Sequence, residues 1–279
     1  MGESKLVILV ADGVSAPGRL LCNRLASAGH ILFAGYQSPQ SENMEYEAGV
    51  TPLALDISSD NSVAAAITQI TKATQRIDIV INNARTALFG ALEAVHICDA
   101  ENFINEMLIG TVRLQNAVLP LMRAQGCGRV INVSTQQDAI EGGFTGWQSV
   151  AVVSLEKLAE IANAELAGTG VSVRNQQICL FHSQFARPCL SEVDYRLVAS
   201  NDAGVCAFNR AIQSKMIDAP SPSDEAERLF NMVFADDPVN PALSQEKSQP
   251  FKRYSSGTDI LRRIRQFQGE AQCWRVTLF

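Results

Sequence analysis

The sequence predicts an α/β fold in a single domain over 1–279, a doubly wound, mainly parallel sheet of about seven strands. Three observations predict it. Short β-branched runs alternate with stretches of helical periodicity along most of the chain. The first run, Lys5–Val10, leads through the turn ADGVSAPG into a helical pattern that lasts to Ala28, the strand-turn-helix order of a βαβ unit. Finally, 279 residues at 47% hydrophobic content suffice to bury one large core.

Each element has a local reason. Ser15 is placed to cap the first helix and Pro17 suits its first turn, where a missing N–H costs nothing. His30 to Gly35 reads as the second strand, Leu53 to Asp56 as the end of the third and Ile77 to Ile81 as the fourth. Asp56 precedes Ser58 and Ser59 and reads as a helix cap. Phe103 to Met122 is helical, Val130 to Val133 is the fifth strand, and a helix of small residues and valines ends near Leu166. Val171 to Val173 starts a sixth strand, although the RNQQ that follows is too polar for a strand buried on both faces. The Pro-Ser-Asp-Glu of 222–225 starts a further helix.

Composition narrows the function. A net charge of −6, with no basic run longer than 262–265, gives no footprint for nucleic acid or an anionic membrane. Seven scattered cysteines without a C-x-x-C pair suit reduced thiols rather than a disulfide framework or a zinc site. No apolar run reaches the ~18 residues of a membrane span, and no leader pattern precedes the first strand. A cytoplasmic protein without a metal site is the expectation.

The motifs NNAR at 82–85, LIGTVRLQNAVLPLM at 108–122, GRVINVST at 128–135 and AELAGTGVSV at 164–173 resemble those of the short-chain dehydrogenase/reductase family. The tail KRYSSGTDILRRI resembles the ending of its steroid and retinol dehydrogenase branch. The resemblance implies a Rossmann-type fold, an NAD(P) cofactor, a substrate-covering segment over 186–240 and a C-terminal strand, helix and tail over 241–279. Counting along the family pattern places its catalytic serine on Thr135, its tyrosine on Gln148, its lysine on Val152 and its tetrad asparagine on Met107. The lysine lowers the tyrosine's pKa and the tyrosine exchanges a proton with the substrate, so an amide and an isopropyl group cannot replace the pair.

The same counting places the cofactor-binding positions on Asp12, Gly13, Gly18, Asp56, Asn83, Ala84, Arg85 and Ser183. Asp12 puts a carboxylate where phosphate oxygens belong, Pro17 removes an amide, and Arg85 replaces a glycine, so no cofactor is expected to bind. Asp12 and Arg85 flank the crossover point and are expected to pair there; the alternative sends Arg85 to solvent and leaves Asp12 as a cap. Asp138, Glu141 and His182 are replacement acids or bases at the carboxyl edge, and Trp147 either stacks on a ligand or packs against the loop.

Three functions follow as expectations. The first is a redox-impaired partner or regulatory protein, forming a homo-oligomer or a hetero-oligomer with an active relative through the helices at 103–122 and 149–166. Gly110, Leu114, Ala117, Val118, Val153, Leu158, Ala162 and Leu166 would supply that contact. The second is a non-redox enzyme, an isomerase, cyclase or lyase, binding a small molecule in the old pocket. The third is an atypical NAD(P)H-dependent oxidoreductase.

Overall fold

A computed structural model describes residues 5–37, 46–83, 87–93, 95–135, 144–178 and 220–234, the side chain of Thr135 excepted. The described elements all fall within the compact unit Met1–Phe234. The segments 186–219 and 235–279, and with them most of the substrate-covering segment and the whole tail, lie outside the described residues.

Six strands form one sheet in which every neighbouring pair is parallel. They are β1 (Val7–Val10), β2 (Ile31–Tyr36), β3 (Val50–Ala54), β4 (Ile79–Asn83), β5 (Gly128–Thr135) and β6 (Val171–Ile178), in the order β3-β2-β1-β4-β5-β6. The order reverses between β1 and β4, which is where an open sheet of this kind opens a crevice at its carboxyl edge.

The described residues form the helices α1 (Ala16–Ser27), α2 (Asp60–Thr74), α3 (Ile97–Ile104), α4 (Gly110–Gln125), α5 (Gly146–Glu165) and α6 (Pro222–Phe234). Helices cover both faces, so the central strands begin as buried apolar runs, as in the fully buried VILV of β1, and β4 and β5 turn polar toward their carboxyl ends. On one face Leu9, Val80, Val130 and Val173 pack with Val63 and Ile70 of α2, Leu114 and Val118 of α4 and Ala159 of α5. On the other, Ile8, Ile81 and Ile131 pack with Leu21 and Leu25 of α1 and Leu229 of α6.

α1 starts as expected, with Ser15 at its N-cap accepting from the Gly18 N–H and Pro17 in its first turn. α2 is capped by Ser59 rather than Asp56; the Ser59 hydroxyl accepts from the Ser62 N–H. β6 is longer than its sequence suggests, because its polar residues are only half-buried and keep ladder pairing through Ile178. The helical stretch before β5 starts earlier, at Ile97, and is interrupted by one π-helical segment, Asn105–Ile109, between α3 and α4.

Candidate functional site

The turn that leaves β1 at the crossover point is held by side-chain and backbone groups of this chain. β1 and β4 run in register up to Val10 and Ile81, which brings Asp12 beside Asn83. The Asn83 amide then clamps the Asp12 peptide: Asp12 N–H donates to Asn83 Oδ1 at 2.9 Å, and Asn83 Nδ2 donates to the Asp12 carbonyl at 2.8 Å. Gly13 N–H donates to the Gly35 carbonyl at 3.0 Å. Ser15 N–H is 3.4 Å from Asp12 Oδ1, and Gly18 N–H donates to Ser15 Oγ at 3.2 Å.

The glycines of the turn follow from close approach. A Cβ on Gly13 would sit 2.5 Å from the Cβ of Ala34, and one on Gly18 would sit 2.0 Å from the Asp12 carbonyl oxygen. Gly13 is therefore required by β2, and Gly18 by the fold of the turn itself. Tyr46, which nothing in its polar surroundings singles out, donates its hydroxyl to the Gly13 carbonyl at 3.1 Å from the β2–β3 connection. Its ring packs against the core below α1.

Asp12 is buried, and its charge is felt inside α1. The Cys22 thiol is pushed far above its ordinary pKa, first by burial and then by the Asp12 carboxylate. Arg85, the expected partner of Asp12, lies with Ala84 outside the described residues. At the end of β3, Asp56 is tied into a local network instead of facing open solvent: its Oδ1 accepts from Ser58 N–H (2.9 Å), Ser58 Oγ (2.6 Å) and Gln37 Nε2 (3.0 Å). Partial burial pushes its carboxyl pKa up, but the bonds from Ser58 and Gln37 and the charge of Arg113 outweigh that and hold it below the ordinary value.

The catalytic half is built from β5, the π-helical segment and α5. Thr135 ends β5, paired with Ile178. Gln148 is buried in the first turn of α5, and its Oε1 accepts from the Leu88 N–H at 3.3 Å. The amide therefore ties α5 to the segment that follows β4. One turn on, Val152 is fully buried. Met107 lies in the π-helical segment and packs with Leu88, Phe103, Ala151 and Leu155, against which Trp147 also rests. The loop expected to pack against Trp147, residues 136–143, lies outside the described residues.

Asp138, Glu141, His182 and Ser183 lie outside the described residues. Among the described residues no group of three or more His, Cys, Asp or Glu could hold a metal ion, and no helix is long and apolar enough to cross a membrane.

Of the residues named for a subunit contact, Val153 and Leu158 of α5 are exposed, and the others face the core of this chain. Gly110, Leu114, Val118 and Leu166 are buried within this chain, and Ala117 and Ala162 pack against the same core. Their helical spacing is that of the stripe facing the sheet. The apolar residues that α5 leaves exposed are Val150, Val153, Leu158 and Ile161.

A doubly wound parallel sheet, a glycine-containing turn at its crossover point and a fifth strand followed by a long helix define a Rossmann-type fold. The short chain dehydrogenase family profile matches residues 6–192, and the chain belongs to that family. It is 30% identical over 160 residues to the 3-ketodihydrosphingosine reductase of Bacteroides thetaiotaomicron, a match covering 57% of this chain and 58% of that one. With 17-beta-hydroxysteroid dehydrogenase type 1 of Homo sapiens it shares 25% identity over 269 residues, 90% of this chain and 80% of the other. A short-chain dehydrogenase from Streptomyces avermitilis superposes with a TM-score of 0.71 at 19% identity, with 97% of each chain covered.

Proposed function

We propose that this chain is a redox-impaired member of the family that acts as a structural or regulatory partner. One observation carries the reading: four backbone donors of the turn are already used. The amides of Asp12, Gly13, Ser15 and Gly18 go to Asn83, Gly35, Asp12 and Ser15, and Pro17 has none. A dinucleotide diphosphate is held by such amides at a helix N-terminus, and here it would have to break those bonds beside a buried carboxylate.

The catalytic positions support the same reading. Gln148 spends its amide oxygen on Leu88, Val152 brings no ammonium, and Met107 is part of an apolar cluster. General acid–base catalysis contributes roughly 10²–10⁴-fold in enzymes, and the described residues at these positions supply none of it. An assay of the purified protein with NADH or NADPH and carbonyl compounds, including keto-sphingoid and steroid ketones in view of the relatives, tests this. Turnover at a rate near one per second would refute it, and no cofactor-dependent turnover is expected.

The partner is a second copy of this chain or an active relative, docked on α5 through Val150, Val153, Leu158 and Ile161. Their exposure supports the choice of surface, because a contiguous apolar stripe on one helix marks an interaction site. Light scattering of the full chain, alone and mixed with an active relative, is expected to show a species larger than a monomer that Val153→Asp disrupts. A monomer under both conditions would count against it.

A further inference from the structure

Three asparagines stand side by side across the β4-β5-β6 half of the sheet. Asn82 of β4 is opposite Asn132 of β5, and Asn132 is opposite Asn175 of β6. Side chains alternate between faces along a strand. Val80, Val130 and Val173, two residues earlier on each strand, pack in the core that holds Leu114 and Val118 of α4, so the asparagines point to that face. Gln115 of α4 agrees, since its Nε2 donates to Asn132 Oδ1 at 3.2 Å. Two residues further toward the carboxyl edge Ser134 is opposite Gln177, whose Nε2 donates to Glu156 of α5.

This row is closed to bulk solvent and rich in unmatched groups. Asn82 and Asn132 are each 1% exposed and Ser134 is 2% exposed. The Nδ2 and Oδ1 of Asn82, the Nδ2 of Asn132, the Nδ2 and Oδ1 of Asn175 and the Oγ of Ser134 are all inaccessible, and none has a hydrogen-bond partner in the protein. Neighbouring strands lie ~4.8 Å apart, so one small polar molecule can touch amides of two strands at once. Buried amides are nearly always matched, because an unmatched one forfeits its bonds to water.

The chemistry of the row selects its occupant. It offers donors (three amide Nδ2 groups) and acceptors (the Oδ1 atoms of Asn82 and Asn175) together, with a hydroxyl that serves as either. An anion would leave the acceptors unmatched, a cation would leave the donors unmatched, and an apolar molecule would match nothing. Water donates two bonds and accepts two, and an internal water typically takes 2–4 polar partners. We propose that the row is an internal water site, with ordered water bridging Asn82, Asn132, Asn175 and Ser134 between the sheet and α4. Asn82 precedes the residue that clamps the β1 turn, so this water also props the end of β4.

Water-to-amide cross-relaxation in NMR spectra of the full chain tests the proposal. The side-chain NH₂ groups of Asn82 and Asn132 are expected to show cross-peaks of the sign given by long-lived bound water; their absence would overturn it. Thermal unfolding of Asn82→Leu and Asn175→Leu gives a second test. Loss of the bridges is expected to lower the midpoint by about 3–6 °C for each variant, whereas an unchanged or raised midpoint would mean a dry row and overturn the proposal. Should either variant fail to fold, the NMR result on the unaltered chain decides alone.

Discussion

The two halves of the crevice share one parallel sheet and differ in what holds them. At the β1 turn the groups that would face a diphosphate are still polar, but they are bonded to one another through Asn83, Gly35 and Ser15. Around α5 the contacts are of another kind: Met107 and Val152 are buried apolar side chains, and Gln148 ties α5 to Leu88. One half is closed by hydrogen bonding and the other by packing. On the proposed reading, the backbone shape outlasts two different losses of chemistry, since neither would disturb strand pairing.

The largest expected effect is on the packed half. Val152→Lys would place an ammonium at a position with no exposure, and is expected to cost about 3–5 kcal/mol in urea unfolding. Unchanged stability would show that the cleft is open there and break the comparison. Combined with Gln148→Tyr, the substitution is expected to restore no ketone turnover, because the turn remains closed.

Next is the bonded half. Asn83→Leu leaves the buried Asp12 N–H without its acceptor and the Asp12 carbonyl with only the long bond from Ser15 Oγ at 3.5 Å, at an expected cost of about 2–4 kcal/mol by the same measurement. A loss below ~1 kcal/mol would mean that the turn rearranges freely, and would weaken the case that it is closed. Gln148→Leu removes one acceptor from one buried N–H and is expected to cost about 1–2 kcal/mol.

How far these features could be read in the sequence differs between the halves as well. The apolar runs located β1, β4 and β5, whereas Met107, Thr135, Gln148 and Val152 were singled out only by counting along the motifs of the family that the chain resembles. α3 was missed because its N-cap, His96, makes no side-chain cap bond and so leaves no start signal. The length of β6 was missed because half-buried Arg174, Asn175, Gln176 and Gln177 hide a strand held by its ladder. At the turn, the motif named Asn83 but not its two bonds to Asp12, and Tyr46 lies 33 residues from the glycine it touches. Reciprocal bonds across the sheet depend on the register of β1 with β4, which no local pattern encodes.

A smaller effect concerns acid. The folded pKa of Asp56 lies below its ordinary value, so its contribution to stability is fully present above the ordinary carboxylate pKa and is lost as pH falls through the depressed one. Asp56→Asn is expected to flatten slightly the acid limb of a stability-against-pH curve; an unchanged limb would assign the acid dependence elsewhere. The smallest concerns no stability at all. Cys22, buried with its pKa raised, is expected to resist alkylation in the native protein while the exposed Cys98 and Cys127 react, and rapid modification of Cys22 would mean that α1 opens at the turn.

The measurement that bears most directly on the closed turn is a calorimetric titration of the full chain with NADPH and with NADH. The bonded amides, the buried Asp12 and the missing ammonium at Val152 predict no saturable binding of either dinucleotide below about 1 mM. A Kd in the micromolar range for either one would contradict the account, because it would show that the turn gives up its internal hydrogen bonds to a diphosphate.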